Sequence, residues 1–319
     1  MLILSSDIQI GPYKFKGVNE VQVNSSWDNL TDTCTIVFPR AVEWRGRPIA
    51  GPDGLLKRGM AVTVRIGYDG NNVEVFRGYV RDVAAQIPVK VSCEDGMYLL
   101  KRGEFTGSYK KATLPVLVSD MLEAVGLDTP VKFTADFDLG QFRISKATPA
   151  KVLQYLREHY FVRAWFRAGT LNVGIAYDAE QQRRRRIRFD RNVISHTLEF
   201  REKDDVRLNL KAIITNPENK REEVVVGDED GEQRTFHYYN ISTSAAKALL
   251  EKEAERLRFT GWRGSFVTFG KPDIRHGDIV ELVDPIYPER DGSYLVKRVQ
   301  ISFGEGGYRQ DVELEEKAV

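Results

Sequence analysis

Leu56-Lys57-Arg58-Gly59-Met60-Ala61-Val62-Thr63-Val64 and, far downstream, Ile274-Arg275-His276-Gly277-Asp278-Ile279-Val280-Glu281-Leu282 share one plan. In each, an apolar residue and a basic pair precede a glycine, and a strand with alternating apolar residues follows. Each strand then leads through a turn to a second one: Phe76-Arg77-Gly78-Tyr79-Val80-Arg81-Asp82-Val83 in the first case, Asp291-Gly292-Ser293-Tyr294-Leu295-Val296-Lys297-Arg298-Val299 in the second. Glycine before each first strand fits a tight turn with positive φ, which a side chain would obstruct. Any two hairpins share turn glycines and alternating apolar residues. What sets this pair apart is its placement on opposite sides of a helical stretch, so the chain reads as two similar β-barrels. A ring of three such chains would present six similar units around a channel.

Around the first copy the chain reads as β from Ile8 to about Asp95. Val21 and Val23 alternate with Gln22 and Asn24, and Thr33, Thr35 and Val37 alternate with Cys34, Ile36 and Phe38 before Pro39 ends the run. Val62, Val64 and Ile66 then alternate, Asp69-Gly70-Asn71-Asn72 supplies turn chemistry, and Val73, Val75 and Phe76 open the return strand of a hairpin.

The character changes between about Leu99 and Tyr177. Thr113 and Thr148 are placed to cap two helices with Pro115 and Pro149 in their first turns. Leu114, Val118, Met121, Leu122 and Val125 form one apolar stripe, and Val152, Leu153, Leu156 and Tyr160 the other. Short strands are predicted at Val131 to Phe133, Phe142 to Ile144, Val162 to Phe166 and Leu171 to Ile175. β character returns from Ile187. Val206 to Ile214 reads as a strand, and Glu222 to Val226 is predicted to pair with Arg234 to Tyr238 across Asp228-Glu229-Asp230-Gly231. One more helix, capped by Ser242 or Thr243, would bury Leu249, Leu250 and Leu257. The resulting fold class is β-rich α+β, with two similar tube-forming β-barrel domains and a small α+β insertion between them. The boundaries are 1–98 for the first barrel, 99–180 for the insertion and 181–319 for the second barrel with its one helix.

Length and composition agree with several compact units. At 319 residues the chain exceeds the roughly 100 to 200 residues of one domain. Apolar residues at 42% and charged residues at 29% are ordinary for a globular protein and exclude a mostly disordered chain. Lys and Arg number 47 against 46 Asp and Glu, so there is no overall pull toward nucleic acid or anionic membrane. The N-terminus lacks the positive stretch of a signal peptide, and no apolar run reaches the ~20 residues that cross a bilayer. Membrane insertion is not expected, and synthesis in a reducing cytoplasm is. Cys34 and Cys93 sit in strand-like stretches and are expected to be buried free thiols, although one pair could bridge.

In these stretches the sequence resembles the tail hub proteins of phages and phage-like injection machines: the late control D family and the hub portion of type VI secretion VgrG spikes. The resemblance lies in Leu30-Thr31-Asp32-Thr33 through Pro39 and in Gly59 through Val83, with Gly67-Tyr68-Asp69-Gly70 and Phe76-Arg77-Gly78. It continues in Thr148-Pro149 through Ile175 and in Gly270-Lys271-Pro272-Asp273-Ile274-Arg275-His276-Gly277-Asp278. It closes on Gly306-Gly307-Tyr308-Arg309-Gln310-Asp311-Val312-Glu313-Leu314. It runs in order along nearly the whole chain. It implies a homotrimer whose two barrels per subunit make a pseudo-sixfold ring between a hexameric tail tube and a trimeric spike, with baseplate proteins as further partners. Because the sequence stops at Val319 with no OB-like domain or β-helix, the spike is expected to be a separate protein.

Candidate chemistry is sparse. His159, His196, His237 and His276 fall in separate segments without ligand spacing, so no metal site is expected. His276, in the turn before a strand, is expected to be exposed. No nucleophile elbow, phosphate-binding loop or dinucleotide fingerprint occurs, and Gly304-Glu305-Gly306-Gly307 reads as a hairpin or bulge. A wall-degrading glycosidase would need two facing carboxylates, and none sits in a lysozyme-like helical context. The chain is therefore read as a structural protein with neither cofactor nor catalytic residues. Arg183-Arg184-Arg185-Arg186 and Arg188 form a basic run that could touch phosphate, with DNA as a possible channel cargo. The stronger reading is a solvated linker from the insertion back to the second barrel, or a patch pairing with acidic residues of a neighbouring subunit. Trp165 and Trp262 are expected in core packing or in a subunit contact, while Trp44 is the more credible exposed contact residue. A different reading, a tail-tip adhesin or carbohydrate-binding module, would not require two equivalent barrels.

Overall fold

The computed structural model describes residues 2–39, 42–51, 53–84, 86–134, 136, 138–160, 162–174, 182–216, 220–239 and 241–318. β1 (Leu4–Ile10) and β2 (Tyr13–Phe15) form a hairpin at the N-terminal end. β3 (Glu20–Ser26) pairs antiparallel with β4 (Thr33–Val37), placing Val21 opposite Ile36 and Val23 opposite Cys34. The alternation in both stretches puts these four side chains into one core, since successive residues of a strand face opposite sides. A two-residue ladder, β5 (Glu43–Trp44) with β6 (Arg47–Pro48), precedes β7 (Ala61–Tyr68). β7 turns through Asp69 and Gly70, both at positive φ, into β8 (Asn71–Ala84), the two-residue hairpin that Asp-Gly favours. β9 (Lys90–Glu94) then fits between β8 and β4.

The insertion follows. It comprises α1 (Met97–Leu100), β10 (Phe105–Thr113), α2 (Leu114–Ala124), β11 (Val131–Phe133), β12 (Asp138–Ala147), α3 (Pro149–Tyr160), β13 (Arg163–Arg167) and β14 (Thr170–Gly174). Both helices start at the predicted threonine-proline steps; the Lys151 amide donates to Thr148 Oγ1 at 3.4 Å, whereas the Thr113 hydroxyl makes no capping bond. Leu114, Val118, Met121, Leu122, Val152, Leu153 and Leu156 bury into a second core, distinct from that of the large sheet. β14 lies between parallel β11 and antiparallel β13. Ile175, the predicted end of that strand, lies outside the described residues.

β15 (Arg184–Arg188), β16 (Val193–His196) and β17 (Glu199–Arg201) lead to a small unit with a third core: β18 (Leu208–Thr215), β19 (Arg221–Gly227), β20 (Glu232–Tyr239) and α4 (Thr243–Leu257). Here the predicted pairing of Glu222–Val226 with Arg234–Tyr238 is wrong. β18 sits between the two, antiparallel to β19 and parallel to β20, so that Leu210 faces Val226 on one side and Arg234 on the other. β18 is the most apolar of the three, burying Leu208, Leu210, Ala212 and Ile214, and the central position covers both its edges. Residues 228–231 cross over the start of β18, where the Asp228 amide donates to Leu208 O at 2.6 Å and the Glu232 amide to Arg207 O at 3.0 Å. α4 is capped by Ser242, whose hydroxyl accepts from the Ala245 amide. Leu250 is buried on the sheet with Ala246 and Ala254, but Leu249, expected inside, is 41% exposed, because the small alanines form the packed stripe.

β21 (Gly261–Arg263), β22 (Ser265–Phe269), β23 (Ile279–Val283), β24 (Gly292–Gly304) and β25 (Gly307–Lys317) complete the chain. Thirteen strands form one sheet, in the order β16-β22-β25-β24-β3-β4-β9-β8-β7-β1-β2, with β23 and β15 continuing from β24 on a side branch. The junction of the two halves is β24 against β3, with Ile301 opposite Val23 and Phe303 opposite Val21. One core therefore draws on both ends of the sequence, from Ile8 and Val64 to Phe266 and Val312.

Candidate assembly interface

The two glycine-led stretches fold alike down to individual hydrogen bonds. The Gly59 amide donates to Val80 O at 2.8 Å, and the Gly277 amide donates to Val296 O at 2.7 Å. In return Val80 donates to Met60 O and Val296 to Asp278 O, both at 2.9 Å. Register then advances identically: Ala61–Tyr79, Val62–Gly78, Thr63–Arg77 and Val64–Phe76 match Ile279–Leu295, Val280–Tyr294, Glu281–Ser293 and Leu282–Gly292.

The correspondence extends outward. Pairing of β8 with β9 skips Arg81 between Val80–Cys93 and Asp82–Ser92. Pairing of β24 with β25 skips Lys297 between Val296–Leu314 and Arg298–Glu313, so each copy carries the same bulge. Ile36–Val91 on β4 and β9 is matched by Phe266–Val312 on β22 and β25, and Val21–Ile36 by His196–Phe266. The strand order β1-β7-β8-β9-β4-β3 thus recurs as β15-β23-β24-β25-β22-β16. One difference stands out: β1 is antiparallel to β7, whereas β15 is parallel to β23.

β15 is built from the arginine run, and the run pairs with acidic groups of its own chain. Arg183 makes two bonds to the fully buried Asp278 carboxylate, at 3.1 and 2.6 Å, and one to Asp273 at 2.7 Å. Arg185 reaches Asp273, Arg184 reaches Glu281 at 3.5 Å and Arg188 reaches Asp190 at 2.9 Å. Arg186 is exposed and makes no ion pair among the described residues. The stretch expected as a solvated linker is therefore a paired strand, held by charges some ninety residues away in sequence. Arginine has no strong strand preference of its own, so only the tertiary partner fixes it there.

A cavity of about 240 Å³ opens where the two strand sets and the insertion meet. Asp32, Asp95 and His276 lie beside it, and His276, expected in an exposed turn, is 3% exposed. The turn is covered from the insertion, where Arg167 donates to His276 O, while Arg275 donates to Glu74 O at 2.7 Å. Asp32 accepts from the Ser25 hydroxyl at 2.5 Å and the Ser26 amide at 3.0 Å, and its own amide donates to Asp95 Oδ2 at 3.2 Å. Burial pushes the Asp32 carboxyl up to about 7 against the pull of the Ser25 and Ser26 bonds and the Arg167 charge. Asp95 is raised well above the ordinary range by burial and by the Asp32 charge. Burial, aided by Arg167 and Arg275, drives His276 down to about 3. His276 Nε2 is 3.8 Å from Asp32 Oδ2. These buried polar groups escaped the sequence because their partners come from three separate stretches. Among the described residues no group of His, Cys, Asp and Glu is arranged to hold a metal ion.

Trp27, Trp165 and Trp262 serve packing. Trp27 is 3% exposed and meets Trp165 edge-on at 6.3 Å, with the Arg163 guanidinium over its ring at 3.8 Å, which fastens the insertion to the first strand set. Trp262 is buried and donates from Nε1 to Arg290 O at 3.0 Å. The Trp44 side chain lies outside the described residues. Cys34 and Cys93 face each other across β4 and β9 as buried free thiols, Cys93 pushed up to about 12 by desolvation.

No family model and no curated protein matches the sequence. Solved structures do. A tail protein from Neisseria meningitidis MC58 has 15% identity and a TM-score of 0.72, with 98% of this chain and 97% of that one covered. The 43 kDa tail protein of prophage MuSo2 from Shewanella oneidensis has 16% identity and a TM-score of 0.67, with 98% of each chain covered. The E. coli c3393 protein, a component of the type VI secretion system, has 11% identity and a TM-score of 0.64, covering 98% of this chain and 77% of that one. Along essentially its whole length, then, this chain shares the fold of phage tail proteins and of a type VI secretion component.

Proposed function

We propose that the chain is a structural hub subunit of a phage tail or phage-like injection machine, of the late control D type. Three copies form a ring in which the two strand sets of each subunit act as barrel-like units, giving six similar units around a channel. The ring joins a hexameric tail tube to a trimeric spike, contacts baseplate proteins, and is assembled into a virion or injection machine after synthesis in a bacterial cytoplasm. Its role is geometric, and no cofactor or turnover is assigned to it. The observation that carries this reading is the internal repeat: a subunit with two equivalent strand sets converts threefold into approximate sixfold symmetry, which a single set would not. The shared fold with tail proteins supports it. The inserted unit at 99–180 then lies outside the repeat, whereas β15, which carries the arginines at 184–186 and 188, stands in the second strand set where β1 stands in the first. An obligate ring interface buries on the order of 2,000 to 5,000 Å². Light scattering of the purified chain tests the proposal: a mass three times 36.4 kDa supports it, and a stable monomer at every concentration rejects it.

A further inference from the structure

We propose that neighbouring copies are joined by β-pairing between the far end of β8 in one copy and the β16–β17 edge of the next, in the register that β24 and β3 already use within one chain. The proposal deepens the ring reading above and rests on it.

Inside one chain, the later half of β24 has β25 on one side and β3 on the other, with Arg298 opposite Ser26, Val299 opposite Ser25 and Gln300 opposite Asn24. β8 is the counterpart of β24. Because both copies share the glycine turn and the bulge, Asp82, Val83 and Ala84 stand where Arg298, Val299 and Gln300 stand. β9 covers one side of these three residues, but pairing with β7 ends at Tyr79, so no described strand covers the other. β16 and β17 are the counterparts of β3. Asn24 faces Thr33 as Glu199 faces Arg263, and Val21 faces Ile36 as His196 faces Phe266. β16 ends the large sheet, paired with β22 alone, and β17 pairs with β21 alone. One chain therefore holds one completed junction and the two separate halves of a second.

Transferring the register puts Asp82 opposite Arg201, Val83 opposite Phe200 and Ala84 opposite Glu199. The chemistry of the pairs is complementary. Asp82 and Arg201 carry opposite charges on an exposed face, while Val83 and Phe200 are half-buried apolar side chains at the rim of the core. Their present partners, Arg58 at 3.4 Å from Asp82 and Glu199 at 2.7 Å from Arg201, are exposed pairs of small energetic weight and free to exchange. Ile87, 76% exposed just beyond β8, and Ile194, 45% exposed on β16, are apolar surface that the junction would cover. An unprotected strand edge favours a second strand, and here the internal junction specifies which one.

Directly opposed residues in an antiparallel pair have Cα atoms about 4.5 to 5.5 Å apart, within disulfide reach. The Ala84→Cys/Glu199→Cys variant, oxidised as the full chain, should therefore give covalent trimers on a non-reducing gel. The single variants should give none, and the out-of-register Ala84→Cys/Arg201→Cys variant should react at least about tenfold more slowly. Independently, Asp82→Arg should weaken trimerisation and Asp82→Arg/Arg201→Asp should restore it, a test that stands even where the cysteine variant fails to fold. Light scattering on the same samples separates the two levels. Trimers that neither cross-link nor respond to the charge swap overturn the register and leave the ring; covalent dimers as the end product also overturn it. Monomers throughout overturn both.

Discussion

Gly59 and Gly277 are conformational equivalents: φ is +86° at one and +80° at the other, and each amide donates to a valine carbonyl on the neighbouring strand. A residue with a Cβ at such φ costs about 1–2 kcal/mol. Gly59→Ala and Gly277→Ala should each lower stability by about that amount, and the double variant by nearly the sum, since distant sites add to within about 0.5 kcal/mol. Denaturant titration of the four proteins checks this; a neutral effect at either site would mean that the two turns are not under the same constraint.

The crossover from β19 to β20 makes a second, local prediction. A Cβ at Gly227 would come within 2.0 Å of Leu208 O, and one at Gly231 within 2.5 Å of Leu208 C. Gly227→Ala should therefore loosen β18, β19, β20 and α4, whose core is separate from that of the large sheet. Hydrogen exchange should accelerate across these elements by about tenfold or more, corresponding to about 1.4 kcal/mol, and leave β3, β4 and β9 unchanged.

These turns also show what the sequence discloses and what it withholds. Gly59, Gly277 and Asp69-Gly70 act through local backbone geometry, so hairpins, register and repeat are legible from residues close together in the chain. The place of β18 between β19 and β20 is not, because Asp228-Glu229-Asp230-Gly231 is compatible with either a hairpin or a crossover. Only burial of the apolar β18 on both edges decides between them. The same holds for His276 and for the arginines of β15. His276 is covered by Arg167 of the insertion, and Arg183 finds Asp278 across about ninety residues, contacts without local signature.

The Arg183–Asp278 pair is open to a double-mutant cycle. Asp278 is fully buried and also accepts from the Arg275 amide at 3.0 Å, so Asp278→Ala strands several donors at once. Its expected cost is about 3 kcal/mol. Arg183→Ala should cost less, and the double variant should fall short of the sum by about 1–3 kcal/mol. Strict additivity would mean that the pair does not hold β15 in place.

Asp32 sets a pH dependence. Its carboxyl is raised from 3.8 to about 7 in the fold, so the stability linked to its protonation is fully present below about 4 and is lost as pH rises through 7. His276 acts oppositely: lowered from 6.5 to about 3, it contributes stability present above 6.5 and lost as pH falls through 3. Asp32→Asn should therefore gain stability relative to the wild type as pH rises from 4 to above 7, read from urea midpoints across that range. A difference that is flat with pH would show that Asp32 ionises normally in the fold.

The central claim, that three copies make a ring of six similar units, is tested most directly by averaged particle images of the purified assembly viewed along its axis. The account predicts closed rings with threefold symmetry whose inner wall shows six near-equivalent density lobes. Single subunits, twofold dimers or open filaments would contradict it.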